Sequence, residues 1–234
     1  MIGVFDSGIG GLTIFDKVVK LLPQYDYVYY GDGKNNPYGE KSEEELMAIT
    51  SNIVNNFKAR GCKLIVIACN TATTRCMKKL REMYPDLIFV GTVPAIKVAC
   101  DKNYKKTLVM ATPATIESER TNELVKDYKR DDQEIYLVPC VGLANAIERK
   151  AKDEINELLK DILKDYMDKG IDSVVLGCTH YPYIKKEISS FLPGAELLDG
   201  SDGVAREVKH QLELHNITSN KEEGTVRILN SLED

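Results

Sequence analysis

Eight short apolar runs punctuate the chain, at residues 2–5, 27–30, 64–68, 87–90, 107–110, 134–138, 173–176 and 195–198. Between most of them the apolar residues recur at helical spacing instead. That alternation predicts βα units and a mostly parallel sheet architecture. The clearest helix spans about 42 to 60, where Ser42 and Glu45 make a capping box and Gly61 closes the far end. Residues 153–169 place Ile155, Leu158, Leu159, Ile162, Leu163 and Tyr166 on one face and stop at Gly170. That face is core and implies no cofactor. Residues 203–215, with Val204, Val208 and Leu212 on one side, read as a final helix. Beyond Asn216 the chain is polar, and Val226-Arg227-Ile228-Leu229 reads as either an edge strand or a loose tail.

The first four runs start 25, 37 and 23 residues apart, and the last four 27, 39 and 22. Such similar gaps point to two related halves. The third run of each half ends in a cysteine, in Leu64-Ile65-Val66-Ile67-Ala68-Cys69-Asn70-Thr71 and in Ser173-Val174-Val175-Leu176-Gly177-Cys178-Thr179-His180. Ligands of open α/β sheets bind beyond the carboxyl ends of the strands. Two halves facing each other about a pseudo-twofold axis would bring Cys69 and Cys178 together across one cleft. A single strand-end cysteine is most simply an inert buried thiol. Two in the same local context point to paired chemistry.

Composition narrows the classes. A net charge of −5 without a dense Lys/Arg block argues against nucleic acid as a partner. No apolar run approaches the roughly 18 residues needed to span a bilayer, so no membrane association is expected. The six cysteines form no Cys-x-x-Cys pair and have only three histidines beside them. Neither a metal cage nor a disulfide framework is expected, and a reducing cytoplasm is the simplest home. The opening residues go straight into a strand pattern without a basic leader, which fits that location.

Several further residues could carry chemistry. Asp6-Ser7-Gly8-Ile9-Gly10-Gly11 is glycine-rich but is not Gly-x-Gly-x-x-Gly, although Asp32 could pose as the acidic residue of a dinucleotide site. A turn whose backbone N–H groups face a small anion at a helix start is the better reading. Asp6 is then either a helix-capping carboxylate or an acid–base partner. The loop 31–39 is either a simple connection or a flap over a small ligand, with Tyr38 and Gly39 offering a hydroxyl and a backbone N–H. Thr112 and Thr115 suit a helix cap. Cys62, Cys76, Cys100 and Cys140 read as small apolar fillers, and His210 and His215 as surface residues. His180 stands apart, two positions from a strand-end cysteine. Glu148 is either a solvated residue or a carboxylate reaching the cleft.

Taken together, Gly3-Val4-Phe5-Asp6-Ser7-Gly8-Ile9-Gly10-Gly11-Leu12, Pro37-Tyr38-Gly39-Glu40-Lys41-Ser42, Ala68-Cys69-Asn70-Thr71-Ala72, Val93-Pro94-Ala95-Ile96-Lys97 and Leu176-Gly177-Cys178-Thr179-His180-Tyr181-Pro182 resemble the cofactor-independent glutamate racemases of bacterial cell-wall synthesis. The wider family of aspartate, glutamate and hydantoin racemases shares the two cysteines, so these alone do not fix the substrate. The resemblance implies two pseudo-symmetric α/β domains, residues 1–95 with a returning helix in 206–234, and residues 96–205, with the active site in the cleft between them. It makes Cys69 and Cys178 the catalytic bases, with Asp6 and His180 as their polar neighbours. Asp6, Ser7, Tyr38, Gly39, Asn70, Thr71, Thr179 and His180 would hold the amino acid, with Thr112 or Thr115 as additions. Asp32 and Glu148 fall where the family often has further carboxylates. Glutamate is the implied substrate, no cofactor or metal is implied, and a homodimer is the expected assembly. The stretch Asp32-Gly33-Lys34-Asn35-Asn36 departs from the family pattern, lacking the Thr/Ser and Arg often found there.

Two thiols suit inversion at an α-carbon, because a proton must leave one face and another arrive at the opposite face. Thiolates form near neutral pH once a helix N-terminus or polar partner favours them. An aspartate or other amino-acid racemase of the same family is the alternative. A non-catalytic two-lobed binder would explain the halves but not the matched cysteines. A cysteine hydrolase using Cys178 and His180 would leave Cys69 idle, and positions so close on one turn are not expected to give nucleophile–base geometry. Lys97 is the nearest strand-end lysine for a Schiff base, and no pyridoxal phosphate is expected.

Overall fold

All eight apolar runs form strands, and every strand pair is parallel. The computed structural model describes residues 1–232. In chain order they are β1 (Ile2–Asp6), α1 (Leu12–Leu21), β2 (Tyr27–Gly31), α2 (Glu43–Ala59), β3 (Leu64–Ile67), α3 (Asn70–Met83), β4 (Ile88–Gly91), α4 (Ile96–Asp101), β5 (Lys106–Ala111), α5 (Pro113–Ile116), α6 (Glu119–Tyr128), β6 (Glu134–Pro139), α7 (Leu143–Glu148), α8 (Lys152–Leu163), β7 (Ser173–Leu176), α9 (Lys185–Phe191), β8 (Glu196–Leu198), α10 (Ser201–Leu214) and β9 (Val226–Asn230).

One sheet has the order β4-β3-β1-β2-β9 and the other β6-β5-β7-β8. Read from its opposite edge, the second is β8-β7-β5-β6, the same order as the first four strands of the chain. The third strand of each half, β3 and β7, is buried throughout. Side chains alternate between the faces of a strand. Leu64 and Val66 accordingly join a core with Ile2, Val4, Phe15 and Val18, while Ile65 and Ile67 join another with Phe5, Leu46, Phe57 and Leu80. In the second sheet, Val174 and Leu176 face a core with Leu108, Met110 and Leu159, and Val175 faces Val109 and Leu124. Burial on both faces is why these runs are continuously apolar.

The chain divides into two compact units, residues 1–92 with the segment from Ser201 onward, and residues 93–200. Both crossings come a few residues earlier than expected from sequence. The whole of α10 belongs to the first unit because Val204, Ala205, Val208 and Leu212 pack with Ile14, Phe15 and Val18 of α1.

Helix α2 begins with the expected reciprocal cap: Glu45 N–H donates to Ser42 Oγ at 3.2 Å and Ser42 N–H donates to Glu45 Oε2 at 2.8 Å. Helix α8 stops at Leu163 instead of running to 169. The chain continues in tight turns, with Tyr166 N–H donating to Leu163 O and Lys169 N–H to Tyr166 O. Tyr166 still keeps its inward place by packing edge-on against Tyr136. The terminal apolar run is an edge strand, β9, paired with β2. Asp26, at the entry to β2, holds the segment leading to it through Lys221 Nζ at 2.6 Å and the Thr225 N–H and Oγ1, each at 2.9 Å. No helix among the described residues is long and apolar enough to cross a membrane.

Candidate active site

In the first unit the site grows from the carboxyl ends of the neighbouring strands β1, β2 and β3. After β1 the chain turns sharply and Asp6, fully buried, folds its carboxylate back into the turn. Asp6 Oδ2 accepts from Gly8 N–H at 3.2 Å and Gly11 N–H at 2.9 Å. The glycine turn expected to present amides to a bound anion gives these two to its own aspartate. A Cβ on Gly11 would lie 2.5 Å from Asp6 Cβ, so this approach requires glycine. Tyr29 Oη donates to Gly8 O at 2.7 Å and fixes the turn from the adjacent strand.

The loop after β2 is bonded together from within by one carboxylate. Asp32 is buried and accepts from Tyr38 Oη at 2.7 Å and from Asn35 Nδ2 at 2.9 and 3.0 Å. Tyr38 is itself buried, in a single turn of 3₁₀ helix (Tyr38–Glu40) that includes Gly39. Its hydroxyl serves Asp32. Burial, then the Asp32 charge, holds the phenol well above its usual range, with Cys69 and Asp6 adding to the effect. Asp32 thus acts through this loop as its internal anchor.

Cys69 is the N-cap residue of α3 and is buried, with its Sγ at a helix end that favours negative charge. Asn70 and Thr71 follow in the first turn, both buried, and Ser7 is buried in the turn after β1. Asn70 Oδ1 has no hydrogen-bond partner among the described residues. Thr73, which the sequence did not single out, closes the strand ends: its Oγ1 donates to Ile67 O at 3.1 Å and accepts from Thr92 N–H at 3.2 Å.

The second unit repeats the strand-end cysteine with different support. Gly177 lets β7 pass close to β5, since a Cβ there would meet Met110 O and Ala111 Cβ at 2.9 Å. Cys178 is buried, and its Sγ lies 3.6 Å from His180 Nδ1. His180 Nε2 lies 2.5 Å from Glu148 Oε2, at the end of α7. Two-residue spacing therefore does bring thiol and imidazole together, contrary to the expectation from one turn. Glu148 is a partner of His180 and not a solvated surface residue; its side chain is 19% exposed. Thr179 is buried beside them.

Thr112 caps α5, accepting from Thr115 N–H at 3.4 Å while its Oγ1 donates to Thr115 Oγ1 at 3.1 Å, so this pair serves the helix start. Among the fillers, burial pushes Cys62 and Cys76 up to about 11 and Cys140 up to about 12, which keeps them protonated. Lys97 pairs with Asp101 at 2.5 Å, and this bond raises its pKa, the opposite of what a Schiff-base lysine needs. His210 and His215 are exposed, as expected.

Tyr181, to which sequence reasoning gave no role, and the filler Cys140 share one core cluster with Cys178. Tyr181 is fully buried, and burial, with the neighbouring Cys140 thiol, raises its phenol well above the usual range. Only its place in the Cys178-Thr179-His180-Tyr181 stretch could have drawn notice.

Comparison with known proteins agrees with this geometry. The family model described as Asp/Glu/Hydantoin racemase matches residues 2–208. A glutamate racemase of Clostridium acetobutylicum is 40% identical over 237 residues, covering 100% of this chain and 92% of that protein. Among solved structures, glutamate racemase isoform RacE1 of Bacillus anthracis superposes with a TM-score of 0.86 at 28% identity, covering 99% of this chain and 88% of that one. Glutamate racemase from Francisella tularensis, solved in complex with D-glutamate, gives 0.85 at 30% identity, covering 98% and 87%. With two parallel sheets in which the four strands of each half share one order, each delivering a buried cysteine, and a family match across most of its length, this chain belongs to the Asp/Glu/Hydantoin racemase family of enzymes.

Proposed function

We propose that this protein is a cofactor-independent glutamate racemase that interconverts L- and D-glutamate with Cys69 and Cys178 as its two bases. One observation carries the reading: a buried cysteine follows the third strand of each half, and the four strands of each half share one order. One sulfur, as thiolate, takes the α-proton; the other, as thiol, delivers a proton to the opposite face. The return reaction exchanges the roles. The supports differ between the halves. Cys69 sits at the start of α3, whose N-terminus favours an anion. Cys178 faces His180, which Glu148 orients.

The substrate's polar groups have matching partners. Asn70 Oδ1, a buried acceptor left unpaired, suits the α-ammonium; such an atom costs about 1–3 kcal/mol until a donor arrives. Ser7, Thr71 and Thr179 can donate to carboxylate oxygens as charge develops on the carbanion. Asp6 accepts from the amides of the glycine turn and so holds the backbone that carries Ser7. The Francisella enzyme, solved in complex with D-glutamate, supports glutamate as substrate. The product D-glutamate would supply peptidoglycan synthesis in the cytoplasm.

The test is a circular-dichroism assay on both glutamates and both aspartates. Glutamate should be preferred by about 10- to 200-fold, the discrimination one methylene provides. Equal or higher specificity constants for aspartate would move the protein to the aspartate branch of the family. The Cys178–His180–Glu148 line also suits a cysteine hydrolase, but that reaction leaves Cys69 unused and would survive its replacement.

A further inference from the structure

The loop between β2 and α2 is fastened by a residue 197 positions further along the chain. Strand β9 runs parallel to β2 as far as Asn230, which stands opposite Gly31, the last residue before the loop. Ser231 carries the pairing one step on. Its N–H donates to Gly31 O at 3.0 Å, and its Oγ accepts from Lys34 N–H at 2.9 Å. Ser231 is buried, although the edge strand it follows is largely exposed. Lys34 lies in a 3₁₀ turn, Gly33–Asn35, inside the stretch that departs from the family pattern. Asn35 of that turn bonds to Asp32, and Asp32 holds the Tyr38 hydroxyl. Beyond Tyr38, Arg75 Nη1 of α3 donates to Lys41 O at 2.7 Å. Ser231 thus holds the near end of the loop and Arg75 the far end.

We propose that Ser231 is a positioning residue, whose hydroxyl fixes the turn 33–35 and so sets where Tyr38 and Gly39 stand for the substrate. Its effect on catalysis rests on the racemase reading; its effect on the loop does not. Closing the sheet edge needs only the Ser231 backbone, whose N–H already continues the ladder to Gly31 O. The hydroxyl faces the loop instead. Without it the Lys34 N–H loses its acceptor, and the turn must open toward water to satisfy that donor.

The experiment compares the wild type with Ser231→Ala and with Ser231→Thr, which keeps a hydroxyl. Amide hydrogen exchange, read by mass spectrometry, should quicken about 2- to 10-fold at residues 33–38 in Ser231→Ala, with residues 64–76 unchanged and Ser231→Thr close to wild type. KM for both glutamate enantiomers should rise by a similar factor while kcat stays within about twofold. The melting temperature should fall by no more than about 2–4 °C. Unchanged exchange at 33–38 would overturn the proposal, as would faster exchange with an unmoved KM, or a Ser231→Thr protein that behaves like Ser231→Ala. A wild type inactive on glutamate would sink the racemase reading, and the exchange data would then decide the loop anchor by themselves.

Discussion

The His180 imidazole meets the Glu148 carboxylate at 2.5 Å, joining residues 32 positions apart in the chain. An ionised carboxylate only accepts, so this contact places a hydrogen on Nε2. In the neutral ring that leaves Nδ1 as an acceptor, 3.6 Å from Cys178 Sγ. The imidazole can then take the thiol proton, with Glu148 stabilising the resulting cation. Glu148→Gln should fold normally and lower kcat by about 10²-fold, with a changed pH profile. Because the two glutamates are mirror images, kcat/KM must fall equally in both directions. Initial rates from each enantiomer check this, and wild-type rates would show that the contact has no catalytic part.

Thiol reactivity should separate the cysteines by environment. Burial raises Cys62 and Cys76 to about 11 and Cys140 to about 12, so at a pH of about 8 they should resist iodoacetamide while Cys69 and Cys178 react and D-glutamate protects both. The same shifts fix the sign of alkaline stability. A raised thiol pKa stabilises the fold below the unfolded value of about 8.5, and that contribution is lost as pH rises through 11 to 12. Urea midpoints should therefore fall across this window in the wild type, and less steeply in Cys62→Ala/Cys76→Ala. Parallel slopes in the two proteins would contradict the assignment.

The edge strand β9 should depend on one carboxylate. Hydrogen bonds, first from Lys221 and then from Thr225, hold Asp26 well below the usual carboxylate range. A depressed carboxylate pKa stabilises the fold above its unfolded value of about 4, and the contribution is lost as pH falls through the folded value. Asp26→Asn should reproduce the acid effect at neutral pH, speeding hydrogen exchange at residues 221–230 while leaving β1 and β3 protected. Unchanged exchange in that segment would show that the anchor is not what holds β9.

The sheets were legible because their strands are buried on both faces, which makes each run continuously apolar and its boundaries sharp. Even the repeated strand order was foreshadowed by the matched gaps, and Ser42, Glu45 and Gly61 marked α2 through local chemistry alone. The site was legible in its residues and less so in their contacts. Nothing in Asp6-Ser7-Gly8 says whether the turn's amides serve a ligand or their own aspartate, because both need the same glycines. In the loop 31–39, the bonds from Asn35 and Tyr38 to Asp32 join residues that no local pattern pairs. Glu148 could reach His180 only through the packing of α7, which no local pattern encodes.

The most direct test of two opposed thiols is racemisation of D-glutamate in deuterated water, sampled early and read by NMR at the α-carbon of each separated enantiomer. Two monoprotic bases on opposite faces predict L-glutamate carrying one solvent deuterium at that carbon, while the remaining D-glutamate keeps its original hydrogen. Cys69→Ser and Cys178→Ser should each slow this conversion by about 10²- to 10⁴-fold. Product that retains the substrate's own hydrogen, or either variant racemising at the wild-type rate, would contradict the two-thiol mechanism.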